Sequence, residues 1–475
     1  MKYRIKQGKQ NNKLNLSDFL DIKDVKRMSI APVCPYWSPV MPEKYEIKNF
    51  ENVNKRSYIG LGNTKFNFYQ RKKGCKFYEQ FNSYIDSDVI VFNSLKYKLE
   101  SAMNRKPLTE VEIIDECDEF LDSFSNQKTI NIDRLQNALR NIFETNEESV
   151  NKLNEIREII NHLKKNTKVN NEILELKRTG IYDLFRILLN SGNAFENIDE
   201  ESYLFNVEET AKMFEGFLYE TYVSFEKKDN VLLANIVTTN LEKRFKEMKE
   251  KNKTIVLMSG TLHSKEVLKK VFGLDDFDII EAETGHQGQI NVLRSGFEID
   301  CRYSNFSSGK FTRKEYLTAL SKCVEKSKRP VLIHVNAFLD LPSEEELERF
   351  DINNLISREK LREIQNDDKK GILVERFKKG QTDVLFTTRS SRGIDFPGNE
   401  CNSIIFTKYP NPNVQDSFWK ILHKTKPREY WDFYKDKARR ELWQKVYRGL
   451  RFKEDKVFVL SPDSRVLDFF ELNIF

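Results

Sequence analysis

Three acidic side chains directly follow an apolar segment in the stretch Val111–Leu121, whose sequence is Val-Glu-Ile-Ile-Asp-Glu-Cys-Asp-Glu-Phe-Leu. Asp115, Glu116 and Asp118 would stand at the end of a strand, where neighbouring carboxylates repel one another unless they hold a cation or take part in chemistry. The pattern is typical of a magnesium site that hydrolyses nucleotides. A strand that ends in a solvated acidic turn has the same pattern, so other parts of the chain must decide between the two interpretations.

A turn of small hydroxyl residues forms a second candidate site. Ser259, Gly260 and Thr261 follow the predicted strand Thr254–Met258, and the ligands of α/β sheets bind outside the carboxyl ends of the strands. The two hydroxyl groups would therefore be available at a binding edge. Small hydroxyl residues beside a glycine also occur in ordinary turns, so this motif alone is weak evidence.

A loop with two glycines around a carboxylate follows the predicted strand Asp383–Thr387. Gly393, Asp395 and Gly398 lie in the sequence Ser-Arg-Gly-Ile-Asp-Phe-Pro-Gly, which covers residues 391–398. A loop of this kind lets the backbone approach the phosphate of a nucleotide or a nucleic acid. An ordinary Pro-Gly turn is the alternative.

The predicted helix Ala438–Arg451 carries an amide and two guanidinium groups on one side. Gln444, Arg448 and Arg451 are separated by four and then three residues, which places them on a single helical face. Two arginines aimed together suit a multiply charged anion such as a triphosphate, and a positioned arginine can raise turnover by ~10³–10⁵-fold. An exposed basic helix face would look the same.

Strands and helices alternate in the second half of the chain, from residue 284 onward. The strands predicted there are Ile290–Ser295, Val331–Val335, Asp383–Thr387, Ser403–Thr407 and Lys456–Leu460. This alternation indicates a parallel sheet covered by helices on both faces.

A block of helical patterns separates the acidic stretch from the Ser-Gly-Thr turn. The predicted helices are Asp133–Glu144, Ser149–Lys165, Glu172–Leu189 and Val207–Phe217, in which Leu, Ile and Phe recur at spacings of three and four residues. A hairpin with strands Tyr219–Phe225 and Val231–Val237 is predicted to follow. Before the acidic stretch, Asp88–Asn93 is predicted to be a buried strand, and residues 26–82 an irregular insertion rich in Pro and Gly.

Composition favours a soluble globular protein with several domains. The chain has 475 residues, of which 39% are hydrophobic and 32% charged. It has no apolar run near the roughly 20 residues of a membrane span and no apolar signal-peptide core. We therefore expect an intracellular protein, in the cytoplasm or nucleoid, or in the nucleus of a eukaryote. Six cysteines without a CxxC pair fit a reducing compartment.

Basic residues are concentrated near the N-terminus. Residues 1–78 contain 17 Lys or Arg and 6 Asp or Glu, a net charge of +11, whereas the whole chain carries +6. The aromatic residues interleaved with them are Tyr36, Trp37, Tyr58, Phe66, Phe68, Tyr69, Phe77 and Tyr78. Such a mixture lets a surface bind phosphates while bases stack on rings. A solvated lysine-rich face over an aromatic core is the alternative.

In their order along the chain, these motifs resemble the motor core of superfamily 2 helicases of the XPD/DinG type. Asp115-Glu-Cys-Asp118 stands where the family has its DEAH-like box, Ser259-Gly-Thr261 where it has its Ser-Gly-Thr motif, and Gly393-Ile-Asp395 where it has Gly-Ile-Asp. Gln444-x-x-Tyr-Arg448-x-x-Arg451, followed by Asp463-Ser-Arg465, is similar to its Gln-x-x-Gly-Arg-x-x-Arg and Asp-x-Arg motifs. The resemblance extends over residues 26–468, and four motifs in the right order are more specific than any one of them.

The resemblance implies an α/β protein with two RecA-like parallel-sheet domains and a helical, arch-like insertion in the first. It implies that Asp115 holds Mg²⁺ through water, that Glu116 orients the attacking water, and that Arg448 and Arg451 reach the γ-phosphate of ATP from the second domain. Further residues implied to bind the nucleotide are Gly393, Asp395 and Gln444. Those implied to couple nucleotide state to domain closure on single-stranded or forked DNA are Asp118, Ser259, Gly260 and Thr261.

Three features depart from the family. The phosphate-binding motif G-x-x-x-x-G-K-[ST] does not occur in the sequence, so the β- and γ-phosphates would lack their backbone cradle, and the first motor domain its opening strand and helix. Many members hold an iron–sulfur cluster on four cysteines, but only Cys34 and Cys75 fall in that interval here, and two thiolates cannot fill such a site. We expect no cluster. Arg392 and Tyr447 also replace the family's usual Glu and Gly.

We therefore predict an ATP-dependent DNA helicase of the XPD/DinG type in a truncated or split form, for which a separate polypeptide supplies the P-loop. The alternative is a nucleic-acid-binding helicase remnant that does not hydrolyse ATP. The predicted domains are an N-terminal tail (1–25), a partial first RecA-like domain with the cysteine insertion and the acidic box (26–125), the arch-like domain (126–218), the return to the first domain with the Ser-Gly-Thr motif (219–283) and the second RecA-like domain (284–475).

Overall fold

The computed structural model describes residues 34–45, 53–124, 127–140, 142, 147–167, 169, 172–190, 203–281, 288–368, 371–388 and 393–473. The expectations for the tail 1–25 and for Arg392 lie outside these ranges. The chain forms two compact units, Met1–Ser259 with Gln415–Thr425, and Gly260–Val414 with Lys426–Phe475. Within the described ranges, no helix combines the length and the apolar character needed to cross a bilayer.

A small antiparallel sheet organises the first described segment. Its elements are β1 (Val40–Pro42), β2 (Asn54–Ile59), β3 (Lys65–Gln70) and the short helices α1 (Lys76–Glu79) and α2 (Ser83–Asp86). The sheet has the order β1-β3-β2, and rings such as Tyr58 and Phe66, which pair across β2 and β3 at 5.7 Å between centroids, form its core. The prediction of an irregular insertion is wrong here, because aromatic residues favour strands and outweigh the Pro and Gly around them.

The segment after this sheet leads into the acidic stretch. Its elements are α3 (Ser94–Ala102), β4 (Val111–Ile114) and α4 (Cys117–Asp122). Residues 88–93, predicted as a buried strand, form a loop in which Val89 and Val91 are 79% and 91% exposed. Their β-branched side chains favour a strand, but no strand in the described chain pairs with them.

The inserted segment is an α+β structure. Its elements are β5 (Gln127–Asn131), α5 (Ile132–Arg140), α6 (Glu147–Asn166), β6 (Ile173–Glu175), α7 (Gly180–Leu189), α8 (Tyr203–Phe214), β7 (Thr221–Lys228) and β8 (Val231–Thr238). The strands form an antiparallel sheet in the order β5-β8-β7-β6, and the apolar faces of the four helices pack with it in one core. The prediction of a helical insertion is therefore incomplete. Sequence analysis missed β5 and β6 because each is short and lacks the alternation of apolar and polar residues that marks a strand.

The predicted hairpin forms, but it pairs with the strands of the insertion. Strand β7 pairs with β6, and β8 pairs with β5. The hairpin lies in the range 219–283, for which the sequence predicts the return of the first RecA-like domain.

The hairpin is followed by α9 (Leu241–Lys251) and β9 (Thr254–Leu257), and β9 lies parallel to β4 with Val111 opposite Thr254 and Ile113 opposite Val256. Val111 and Ile113 are 51% and 63% exposed, so one face of this pair is open in the described chain.

The second unit is built on a five-stranded parallel sheet of order β10-β14-β13-β11-β12. In chain order the remaining elements are α10 (Lys265–Lys270), β10 (Gln289–Val292), α11 (Tyr303–Ser307), α12 (Arg313–Lys326), β11 (Val331–His334), α13 (Glu344–Phe350), α14 (Arg358–Asp367), α15 (Ile372–Lys378), β12 (Val384–Thr387), β13 (Ser403–Phe406), α16 (Ser417–Thr425), α17 (Pro427–Tyr447), β14 (Lys456–Leu460) and α18 (Ser464–Asn473). Of these, only α16 belongs to the first unit, where Lys424 Nζ donates to the carbonyl of Ile173 at 3.3 Å.

Both faces of this parallel sheet are covered. Val331 and Ile333 of β11 point into one core and Leu332 into another, as strand geometry requires. The predicted α/β class with parallel sheets is confirmed. Because all five strands run the same way, their carboxyl ends meet at one edge, from which the loop with Gly393, the segment after β13 and Asp463 all follow.

Candidate functional site

Parallel pairing of β4 and β9 brings the acidic stretch beside the Ser-Gly-Thr turn. Met258 N donates to the carbonyl of Ile114, and Cys117 N donates to the carbonyl of Met258, both at 2.9 Å. The two turns are thus joined by backbone hydrogen bonds where both strands end. This edge is the one at which the ligands of parallel sheets bind.

The three carboxylates of the acidic stretch do not share one environment. Asp115 and Glu116 are exposed, whereas Asp118 is fully buried in the first turn of α4 and accepts a hydrogen bond from Ser259 Oγ at 2.9 Å. The expectation of three carboxylates together at the rim is therefore wrong for Asp118, because its position on the helix turns the side chain toward the Ser-Gly-Thr turn.

The Asp115–Glu116 step has an unusual backbone. Asp115 Oδ1 accepts a hydrogen bond from Glu116 N at 2.9 Å, and Glu116 adopts a left-handed conformation with φ 47° and ψ 46°. Such a conformation in a residue other than glycine costs about 1–3 kcal/mol. It leaves both acidic side chains at the surface.

The exposed carboxylates of the acidic stretch could supply some of the ligands of a Mg²⁺ ion. This ion binds proteins through one or two carboxylates and completes its shell with water and substrate phosphates, which suits the exposed Asp115. No group of three or more His, Cys, Asp or Glu side chains within the described ranges is placed to hold a metal ion by itself.

In the second unit, Thr261 is tied to the long helix α17. Gln444 Nε2 donates to Thr261 Oγ1 at 2.6 Å, and two turns earlier on the helix Asp436 accepts from Ser264 N at 2.9 Å. Asp436 also pairs with Arg440 at 2.8 Å. One buried polar face of α17 therefore holds the segment that follows the Ser-Gly-Thr motif.

The same helix ends at the arginine pair. Arg448 donates to Asp395 Oδ1 at 3.0 Å, and Arg451 donates to the same oxygen. The loop is also fixed by its backbone, because Phe396 N donates to the carbonyl of Arg448 at 2.8 Å and Gly393 has a φ of 76°, which glycine adopts without strain. Burial opposes ionisation of Asp395, but hydrogen bonds and charge from Arg451 and Arg448 outweigh it and lower the pKa of this carboxyl.

Asp455 is a residue of this site that none of the sequence motifs includes. This buried carboxylate accepts hydrogen bonds from Gly398 N at 2.9 Å, Arg451 N at 2.7 Å and Phe452 N at 2.8 Å. It thereby links the Gly393–Gly398 loop to the turn that carries Arg451. No sequence signal pointed to it, since it lies in the charged run Lys-Glu-Asp-Lys, which is typical of a solvated turn. Asp436, by contrast, lies eight residues before Gln444, so extending the polar face backward along the helix would have found it.

The Asp-x-Arg motif is a structural anchor. Asp463 is fully buried and accepts hydrogen bonds from the Arg465 guanidinium at 2.6 and 2.9 Å and from Tyr409 N at 2.9 Å. It joins the end of β14 to the segment after β13.

The described part of the basic and aromatic N-terminal segment fits the alternative interpretation, a lysine-rich surface over an aromatic core. Most of the predicted stacking rings, among them Phe66 and Phe68, are buried in the core of the β1–β3 sheet. Cations remain around them: Lys72 Nζ lies 5.1 Å from the ring centroid of Tyr36, and Lys73 and Lys76 are exposed. The aromatic residues therefore form a core, and the lysines cover its surface.

All six cysteines lie within the described residues. Cys34 and Cys75 are free and partly buried, and the other four are buried. Burial raises the pKa of Cys323 and of Cys401 to about 12, which disfavours the thiolate that a cluster needs. Among the described residues no three His, Cys, Asp or Glu side chains are grouped to hold a metal ion, and the expected absence of a cluster stays a prediction.

Comparison with known proteins gives the family context. A family model described as a helicase C-terminal domain matches residues 320–469. No curated protein matches the chain. Among solved structures, an XPD helicase matches with a TM-score of 0.52 and 17% identity over 84% of this chain and 74% of its own. Xpd4 of S. tokodaii matches with a TM-score of 0.48 and 19% identity over 80% and 78%, and an apo XPD structure with 0.44 and 18% over 76% and 74%.

Of the three solved structures, only the one with a TM-score of 0.52 supports a conclusion, and at 17% identity that conclusion concerns the fold alone. The matched family segment contains the Gly393–Asp395 loop, Gln444 and both arginines. The resemblance predicted from the motifs is thus confirmed at the level of the fold: the chain has the fold of the matched XPD helicase structure, and its residues 320–469 match the family model of a helicase C-terminal domain.

Proposed function

We propose that this protein is an ATP-dependent DNA helicase motor of the XPD/DinG type, which couples ATP hydrolysis to translocation on single-stranded DNA. The observation that carries the proposal is the convergence of Arg448 and Arg451 on one oxygen of Asp395. Two guanidinium groups held side by side form a receptor for a multiply charged anion, which a nucleotide triphosphate provides.

The exposed carboxylates supply the other part of the chemistry. Asp115 would hold Mg²⁺ through water, and this ion would neutralise charge on the phosphates. Glu116 would orient the attacking water, and its exposure at the end of β4 leaves the carboxylate accessible for that role. Arg448 and Arg451 would stabilise the negative charge that develops on the transferred phosphoryl group.

We assign the coupling of nucleotide state to DNA binding to Asp118 and to the Ser-Gly-Thr motif. In the first unit Asp118 accepts from Ser259, and in the second Gln444 donates to Thr261. The division between the units falls after Ser259, directly before Gly260. Each hydroxyl group of the Ser-Gly-Thr motif therefore bonds to a side chain of its own unit, and these are the contacts to which we assign coupling.

Hydrolysis also requires a phosphate-binding loop, which the 475 residues do not contain. The proposal therefore includes a P-loop supplied from outside this sequence. A second candidate, a helicase remnant that binds nucleic acid without hydrolysing ATP, is favoured by the same missing motif.

Hydrolysis of MgATP stimulated by oligo(dT) separates the two candidates. The purified protein is assayed alone and after addition of the product of the reading frame that precedes its own, with Arg448→Ala as the matched inactive variant. Turnover that appears on addition and is lost in Arg448→Ala supports the motor. If oligo(dT) binds but neither mixture hydrolyses MgATP, the remnant is the correct function.

A further inference from the structure

Helix α17 has a second face, basic and aromatic, which contains none of the motif residues. Arg428, Trp431, Lys435 and Arg439 follow one another at spacings of three, four and four residues, and all four side chains are exposed. This spacing aligns them along one side of the helix. We call these four residues the α17 stripe.

The stripe lies opposite the polar face that serves the motifs. Lys435 and Gln444 are nine residues apart, or two and a half helical turns, so their side chains leave the helix on opposite sides. Gln444 is buried against Thr261, whereas Lys435 is exposed. The stripe is therefore separate from the contacts of the arginine pair.

The indole of Trp431 is exposed and also supported. Trp431 is 49% exposed, and its ring meets the rings of Tyr430 and Tyr434 edge-on at 5.0 and 6.1 Å between centroids. Those two tyrosines stack on each other at 5.2 Å, and Tyr434 Oη donates to the carbonyl of Pro412 at 3.2 Å. An aromatic ring held in this way loses little entropy when a ligand stacks on it.

The charges around this ring favour a polyanion. The nearest carboxylate along the helix, Asp432, is paired with Lys270 at 2.8 Å. Glu429 is the other acidic residue of this part of the helix, and it is only partly exposed. Lys435 and Arg439 lie about 6 Å apart along the helix axis, and Arg428 about 10 Å before Lys435. A flexible chain of phosphates can match these separations.

We propose that the α17 stripe binds single-stranded nucleic acid, with a base stacked on Trp431 and phosphates held by Arg428, Lys435 and Arg439. Stacking platforms flanked by cations bind single strands without reading their sequence. An acidic protein segment could pair with the three cations, but only a nucleic acid also supplies bases that stack on the indole of Trp431. Nucleic acid is therefore the favoured ligand. The inference rests on the proposed function, since the strand bound here is the one on which the motor acts.

Binding of labelled oligo(dT) to the full-length protein tests the stripe. Trp431→Ala is expected to raise the Kd about tenfold or more, and Trp431→Phe much less, because a phenyl ring still stacks. Replacing Lys435 and Arg439 together by Gln is expected to lower the slope of log K against log salt concentration by about 1.4, since each phosphate contact on a single strand contributes about 0.7. Matched controls are Tyr303→Ala, an aromatic residue 85% exposed elsewhere in the second unit, and Lys379→Gln, at the exposed residue that directly follows α15.

Intrinsic fluorescence gives an independent readout. The protein has four tryptophans, and oligo(dT) is expected to quench emission in the wild type but not in Trp431→Phe. Wild-type affinity in Trp431→Ala overturns the inference and leaves the proposed function standing. Competition by poly-glutamate without quenching assigns the stripe to an acidic protein and also overturns it. Absence of oligo(dT) binding in the wild type overturns the DNA part of the proposed function together with this inference.

Discussion

Arg448 donates to the carboxylate of Asp395 at 3.0 Å, across 53 residues of sequence. Because Arg451 shares the same oxygen, one carboxylate holds two guanidinium groups side by side. Two neighbouring guanidinium groups repel each other, and a carboxylate bound to both of them offsets this repulsion. Asp395 therefore preorganises the pair that the proposed function assigns to the phosphates of ATP.

Arg448→Ala is predicted to abolish turnover in the reconstituted motor, by about 10³-fold or more, because a positioned guanidinium stabilises charge only in the transition state. Binding of oligo(dT) is expected to stay largely intact. Initial rates of MgATP hydrolysis and fluorescence anisotropy measure the two effects on the same preparation. Arg349→Ala, an exposed arginine of α13, is the control. Equal loss of turnover and of binding would contradict the assigned role.

The sequence predicted those parts of the molecule in which local pattern and tertiary environment agree. The five strands of the second unit were found because each is a short apolar run between helices, and the motifs at their carboxyl ends were placed at the correct edge. Gln444 was correctly predicted on a polar helical face, but α17 ends at Tyr447, so Arg448 and Arg451 follow the helix and the predicted helix Ala438–Arg451 is wrong at its C-terminal end.

The remaining features depend on contacts that are distant in sequence. Burial of Asp118 beneath Ser259 follows from the parallel pairing of β4 with β9, more than a hundred residues away. Val89 and Val91 have the composition of a strand but no partner strand in the described chain, and strand formation requires pairing. Asp455 connects two loops through backbone donors, which leave no mark on the sequence.

Ser259→Ala is predicted to lower the free energy of unfolding by about 1–2 kcal/mol, because the fully buried carboxylate of Asp118 then loses a donor. Urea titration of the purified protein measures this loss. Ser304→Ala, at an exposed serine of α11, is expected to change stability by less than about 0.5 kcal/mol. A Ser259 variant as stable as the Ser304 control would show that the hydrogen bond to Asp118 does not stabilise the fold.

Lys106→Met is predicted to destabilise the protein by about 3–5 kcal/mol, since it leaves the carboxylate of Glu112 buried without its cation. The two side chains form an ion pair and are 1% and 7% exposed as residues, and Lys106 Nζ also donates to the carbonyl of Pro107 at 3.0 Å. Glu112 lies in β4, three residues before Asp115, so the pair also fixes the strand that carries the acidic box. The double variant Lys106→Met with Glu112→Leu is expected to recover much of the loss. Additive losses in the double-mutant cycle would rule out a direct coupling between the two charges.

His334 makes stability depend on pH in the weakly acidic range. The imidazole lies at the end of β11 and is 4% exposed, and its Nε2 has no hydrogen-bond partner among the described residues. Burial, reinforced by the charge of Lys445, holds the pKa of His334 well below its usual value near 6.5. Above about pH 6.5 the folded and unfolded states both carry a neutral imidazole. As the pH falls below that value, only the unfolded state takes up a proton, so the free energy of unfolding falls by up to about 1.4 kcal/mol per pH unit until the folded-state pKa is reached.

His334→Leu is therefore predicted to flatten the pH dependence of stability between about pH 7 and pH 5, because it removes the group whose two pKa values differ. Urea titrations across this range measure the slope for the wild type and for the variant. His162→Leu, which changes an exposed histidine of α6, is expected to keep the wild-type slope. If His334→Leu and the wild type lose stability equally on acidification, the proton is taken up elsewhere, and the buried imidazole at the end of β11 is not the group that limits stability in acid.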